Sequence, residues 1–249
     1  MEIHPSSKAA GYAAALAASR AIVELAQSNE TFAVIFATGA SQIPVLDALT
    51  NLPNIPWYKV RGFHMDEYIG IEKDHPASFR RYLRERLTSK ALMKEFLEID
   101  GEAPNAQKTC REYAAKLNSA RPRLCLLGVG ENGHLAFNDP QVADFRDPAD
   151  AKIVQLDEVC RNQQAAEGWF ETVDQVPRTA ITLTIPALFR VPKLIVTVPG
   201  KRKAKIVRSA LHAPLSTECP ATILRTHPNA TMYLDTESAD ELDEVLAAQ

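Results

Sequence analysis

Two stretches of this sequence hold acids and an imidazole where proton transfer is feasible. The first is Phe63-His64-Met65-Asp66-Glu67-Tyr68, in which two carboxylates follow an apolar run. Neighbouring strand residues point to opposite sides, so only one of Asp66 and Glu67 can face a given pocket. At a strand end that carboxylate is a general base on a rigid support. The same pair also suits a helix N-cap followed by a surface Glu. The second stretch runs from Gly128 to Asp139 and holds Gly128, Gly130, Gly133, His134 and Asp139. A histidine with a carboxylate partner is suited to moving protons near neutral pH, the acid fixing tautomer and orientation. A turn histidine that satisfies local backbone groups is the alternative reading.

Two further segments suit an anion. Thr38-Gly39-Ala40-Ser41-Gln42 stands between an apolar run and a helical pattern. Its glycine lets the backbone approach an anion, and the helix start supplies N–H groups. It is neither a Walker loop nor a GxGxxG fingerprint, and an ordinary tight turn fits it equally. Pro199-Gly200-Lys201-Arg202-Lys203-Ala204 follows the apolar run Leu194 to Val198. A lysine in a first helical turn opposes the helix dipole, and a bound phosphate would compensate.

These loops need elements to position them. Residues 6–28 carry helical spacing closed by Asn29, and Phe32 to Ala37 is a strand buried on both faces. Leu46, Leu49 and Leu52 belong to a helix. Residues 57–60 lead into 62–65, a second strand that ends at Asp66-Glu67-Tyr68. Helices are expected over 78–87, 106–117, 201–211 and 237–248, and strands over 123–128, 180–184, 193–198 and 231–234. Residues 139–150, the least regular stretch, read as a loop over the site. The alternation implies an α/β fold, a doubly wound, mostly parallel sheet with helices on both faces in the Rossmann-like manner. Ligands then bind beyond the carboxyl ends of the strands. With no repeat or linker, residues 1–249 read as a single domain.

Composition narrows the function. With 46% hydrophobic and 24% charged residues, a chain of 249 residues can build a core without staples. Lys plus Arg number 28 against 31 Asp plus Glu, a balance unlike a nucleic-acid binder. Cys110, Cys125, Cys160 and Cys219 are scattered, with neither a CxxC pair nor a zinc-finger-like cluster, so a reducing compartment and no metal are expected. Lys8 to Gln27 is an alanine-rich amphipathic stretch rather than a signal peptide. No run of about 18 apolar residues exists, so no membrane span is expected and a cytoplasmic location is.

The segments also follow one another in a recognisable series: Thr38-Gly39-Ala40-Ser41, Met65-Asp66-Glu67-Tyr68 with His75-Pro76, Gly128 to Pro140, Val176-Pro177 to Thr184, Gly200-x-x-Lys203-Ala204, and His227-Pro228. This ordered set resembles the glucosamine-6-phosphate deaminase (isomerase) family, relatives of the 6-phosphogluconolactonases. Met65-Asp66-Glu67-Tyr68 is similar to the deaminases, whereas lactonases typically carry a Gly-Asp-Glu-Arg type sequence there. The resemblance implies a sugar-phosphate isomerase type of fold and a cofactor-free conversion of glucosamine 6-phosphate to fructose 6-phosphate and ammonia. It implies Asp66 as the base at C2, and His134 as the ring-opening proton shuttle with Asp139 as its carboxylate. It implies Thr38, Gly39, Ala40, Ser41 and Lys203 as phosphate ligands.

Four positions depart from the family pattern or stay open. Asn132, counted with Asp66, His134 and Asp139 as catalytic, stands where some deaminases have an aspartate assigned to ring opening, Asp139 replaces the usual Glu, and Gln42 replaces a common Pro. Arg161 is the candidate for an arginine that some members add to the phosphate site. The chain stops soon after Asp235, shorter than allosteric hexameric members, so control by an amino-sugar phosphate is not expected. Lactone hydrolysis and non-catalytic sugar-phosphate binding are the alternative functions. The partner in each is a small sugar phosphate, and the sequence does not choose between a monomer and a homo-oligomer.

Overall fold

Phe32, Val34 and Phe36 pack to one side of a strand, and Ala33, Ile35 and Ala37 to the other. Burial on both faces is what a central parallel strand requires. A computed structural model describes residues 1–242. The strands are β1 (Glu2–His4), β2 (Phe32–Phe36), β3 (Val60–His64), β4 (Asp66–Tyr68), β5 (Glu95–Leu97), β6 (Leu124–Leu127), β7 (Ala151–Gln155), β8 (Thr179–Leu183), β9 (Leu194–Thr197) and β10 (Ala230–Asp235). The α-helices are α1 (Ser7–Ser28), α2 (Ile43–Asn51), α3 (Phe79–Leu83), α4 (Ala106–Ala120), α5 (Glu158–Ala166), α6 (Ile185–Phe189) and α7 (Ala204–His212). The helix expected over 237–248 falls from residue 243 onward outside the described residues, and 236–242 form turns.

Seven strands form one sheet in the order β1-β10-β9-β6-β2-β3-β5, every neighbouring pair parallel. Helices α1 and α2 belong to the apolar cluster on one face, and α4, α6 and α7 to that on the other. Helix α1 is long and apolar enough by composition to cross a bilayer. Its alanine face is nonetheless buried, from Ala10 to Ile22. Gly11 allows the close crossing with α2: a Cβ there would stand 2.5 Å from Pro44 Cβ.

The structure corrects the sequence reading at the second strand. Instead of continuing to Tyr68, the chain leaves the parallel sheet at Met65, and β4 pairs antiparallel with β8. Residues 180–184 therefore serve a separate three-stranded antiparallel sheet, β4-β8-β7, rather than the parallel one. Leu183 N–H donates to the Met65 carbonyl at 2.7 Å and holds the bend where the sheets meet. Residues 139–150 do not cover the site. Val142, Ala143 and Phe145 pack onto apolar clusters, and Lys152 Nζ donates to the Val142 carbonyl.

Candidate active site

A cavity of about 320 Å³ opens where β2, β3, β6 and β9 end, the crevice expected of an open parallel sheet. Residues 38–41 line it after β2, Met65 and Asp66 after β3, 128–130 and His134 after β6, and 199–203 after β9. Asp66 and His134, remote in sequence, thus share one cavity.

The two neighbouring acids separate as strand alternation demands. Asp66 lines the cavity and is only 5% exposed. Burial, reinforced by the charge of Glu67, pushes its carboxyl well above the usual carboxylate range. Glu67 lies behind the strand, fully buried. It accepts from the Ser78 hydroxyl at 2.9 Å, from the N–H groups of Phe79 and Arg80, and from Arg80 Nε at 3.3 Å. Those contacts pin β4 to the start of α3. Tyr68 adds tilted ring contacts with Phe79 and Phe137 at centroid distances of 5.0 and 5.3 Å. The Asp66 carboxylate is held by a strand that is itself anchored on both sides.

His134 is set from behind. Its Nδ1 lies 2.9 Å from Oδ1 of Asp139, and no acceptor is aligned with the ring N–H direction. Burial alone would raise Asp139, but the His134 imidazole, the Asn132 amide and the Asp157 N–H together hold its carboxyl below the usual value. Asn132 does not reach the cavity lining, nor does Asp139. Instead Asn132 Nδ2 donates to Asp139 at 2.9 Å and to Asp157 at 3.1 Å, while its Oδ1 accepts the His134 N–H at 3.0 Å. An aspartate at 132 would set a third negative charge against these two, whereas an amide bridges them. The sequence marked Asn132 as a departure, and in the fold its amide joins Asp139 and Asp157 to the His134 backbone.

The glycines of this loop have separate reasons. Gly133 has φ +86°, the left-handed region. Gly130 makes room: a Cβ there would lie 2.2 Å from His134 Cε1 and 2.3 Å from Nε2. Ala136 is a non-glycine in the left-handed region, φ +51°, and it lines the cavity beside Phe137. Gly130→Ala should therefore displace the imidazole without unfolding the chain. We expect turnover to fall roughly 10–100-fold, with little change in Tm, as read by steady-state kinetics and thermal melts.

The opposite end of the cavity repeats one device. Gly39 (φ +91°) and Gly200 (φ +94°) each follow a parallel strand and open a 3₁₀ turn that runs into a helix, α2 and α7 respectively. A Cβ on either would meet nothing within 4 Å, so the open space lies toward the cavity and the backbone angle is what demands glycine. Lys203 closes this end. It is 9% exposed, and burial lowers its ammonium below the ordinary lysine value, partly opposed by Glu167 and Glu131. Gln42, in place of the common Pro, is fully buried and donates to the Leu127 carbonyl at 3.4 Å. Arg161 does not reach the cavity; its guanidinium donates to the carbonyls of Val173 and Val176. Arg202 lines the cavity instead and pairs with Glu131 at 3.4 Å.

One wall escaped the sequence reading. Gln163, Gln164 and Glu167 line the cavity from α5 and the turn after it. Gln163 links Glu131 N–H to Glu167, and Gln164 accepts from the Tyr68 hydroxyl at 3.0 Å. The Asp157 cap, whose side chain accepts from Cys160 N–H, was the signal available for α5.

A doubly wound sheet with open glycine turns at the ends of β2 and β9, and a carboxylate and histidine between them, is the site of a sugar-phosphate isomerase class of protein. Residues 5–233 match the family described as glucosamine-6-phosphate isomerases/6-phosphogluconolactonase, and the chain belongs to that family. The chain is 31% identical to a glucosamine-6-phosphate deaminase of Exiguobacterium sibiricum over 89% of its length and 85% of the relative's. It is 30% identical to one of Listeria innocua over 91% of its length and 96% of the relative's. A solved monomeric glucosamine-6-phosphate deaminase superimposes with a TM-score of 0.87 at 25% identity, covering 97% of this chain and 100% of that one. A 6-phosphogluconolactonase of Thermotoga maritima shares the fold, with a TM-score of 0.76 at 20% identity over 94% of this chain and 98% of that one.

Proposed function

We propose that this chain converts glucosamine 6-phosphate and water to fructose 6-phosphate and ammonia. The observation that carries the proposal is the single cavity shared by Asp66, His134, the 38–41 turn and Lys203. The two glycine turns and Lys203 take the phosphate, whose binding energy orients the sugar for the reacting end. His134 accepts the O1 proton and returns it to O5, opening the ring and freeing the aldehyde. Asp66 then removes the acidified C2 proton to give an enolamine. Protonation at C1 yields a ketimine at C2, which water hydrolyses to the ketone and ammonia. No step requires a cofactor. We assign Asp139 and Asn132 to holding His134. The same reading takes the chain as one functional domain at work in the cytoplasm.

The test is ammonia release from glucosamine 6-phosphate and from galactosamine 6-phosphate by the purified protein, coupled to detection of the ketose phosphate. Ammonia from either sugar supports the reaction class, and the ratio assigns the C4 epimer. Ammonia from neither, with acid release from 6-phosphogluconolactone in its place, would move the assignment to the lactonases.

A further inference from the structure

Behind His134, away from the cavity, three donor atoms of different kinds converge. A ring nitrogen of His134, a carboxylate oxygen of Asp139 and the thiol of Cys160 all lie within 4.8 Å of one another. They arrive from two segments: His134 and Asp139 from the loop after β6, and Cys160 from the first turn of α5. Cys160 is fully buried and plays no part in the chemistry above. Nδ1 of His134 is also buried, with Asp139 Oδ1 2.9 Å away. Asp139 and Asp157 share the amide of Asn132, and neither pairs with a lysine or arginine among the described residues. The pocket is thus buried, rich in negative charge, and offers nitrogen, oxygen and sulfur together.

We propose that a soft divalent cation, zinc, binds His134, Asp139 and Cys160 and switches off proton transfer by His134. Zinc accepts mixed N, O and S donors in tetrahedral geometry, with bonds of about 2.0–2.3 Å. Donors on such a centre stand roughly 3.3–3.6 Å apart on those bond lengths. Small rotations of the three side chains bring them there, and a water completes the fourth position. On binding, the Cys160 thiol gives its proton to solvent as the zinc–sulfur bond forms. The consequence for His134 follows from its two nitrogens. To accept a proton from substrate, Nε2 must carry the lone pair while Nδ1–H faces Asp139. A metal on Nδ1 needs the lone pair of that nitrogen, so the ring proton moves to Nε2 and nothing on the cavity side can accept. Magnesium and calcium, which want oxygen ligands, have no such hold here.

The experiment separates binding from activity. The purified chain is titrated with Co²⁺ as a spectroscopic stand-in, and thiolate-to-cobalt charge-transfer absorption is recorded, then displaced with Zn²⁺. One equivalent with a thiolate band is expected in the wild type and in Cys219→Ser, and none in Cys160→Ser. No band in the wild type, or an unchanged band in Cys160→Ser, overturns the site. The second arm rests on the proposed deaminase reading. Zn²⁺ should inhibit the wild type reversibly on chelation, Mg²⁺ should not, and Cys160→Ser should need at least about 10-fold more Zn²⁺. A band without any ammonia-forming activity in metal-free enzyme would sink the deaminase reading and leave the site standing. Full activity in the zinc-loaded wild type would overturn the switch.

Discussion

Asp66→Asn should cut ammonia release by roughly 10²–10⁴-fold, the contribution of a well-placed general base, and abolish exchange of the C2 proton with solvent deuterium. Binding of the sugar phosphate should survive, because the turn at 38–41 and Lys203 are untouched. The variant should also be more stable than the wild type at neutral pH. Burial raises the Asp66 carboxyl in the folded chain. Between the unfolded value and that raised one, the folded state holds a proton that the unfolded state has lost, so stability falls as pH rises. Asparagine removes that loss. The gap in Tm should therefore be widest above the raised pKa and close as pH drops toward the unfolded value. Kinetics carry the same signature. The acid limb of kcat/KM reports free Asp66, whereas in the complex the substrate's C2 ammonium favours the carboxylate, so the limb of kcat should lie at lower pH. A variant that keeps C2 exchange, or one less stable than wild type at pH 8, would show that Asp66 is not the base held in this strained ionisation.

How much of this could be read from residues depends on the range of the forces involved. The run Phe32 to Ala37 announces a doubly buried strand by itself, and the structure places it at the centre of the sheet. That only one of Asp66 and Glu67 faces the cavity follows from strand alternation alone. The antiparallel sheet was not legible, because β4 is set by pairing Asp66 with the distant Thr182, and β7 meets β8 only across α5 and the turns that follow it. Strand β7 alternates buried and exposed residues too briefly to stand out from the turns before it. Helix α5 is mostly polar on its surface and was hidden for the same reason, and with it went the wall made by Gln163, Gln164 and Glu167. Asn132 shows the limit most clearly. Beside Asp139 in sequence it looks like a lost acid, and only when Asp157 folds back against it does the amide become the better residue.

His134→Gln is expected to lower turnover of the cyclic sugar roughly 10²–10⁴-fold, and the form of the loss identifies the step. If His134 opens the ring, the variant can still act on the small open-chain fraction that forms spontaneously in water. Its velocity should then rise with enzyme concentration at first and level off at the spontaneous ring-opening rate, while the wild type stays linear. Asp139→Asn should fall between the two and remain linear, since it loosens the imidazole without removing it. Its stability should respond to pH in the opposite sense to that of Asp66→Asn. The Asp139 carboxyl is held low by His134, Asn132 and the Asp157 N–H against the cost of burial. That stabilisation is present above the unfolded carboxylate value and is lost as pH falls through the depressed one, so Asp139→Asn should cost stability at pH 7 and little in acid. Velocity in His134→Gln that stays proportional to enzyme at every concentration, with kcat near wild type, would place ring opening elsewhere in the cavity and leave His134 a packing residue against Gly130.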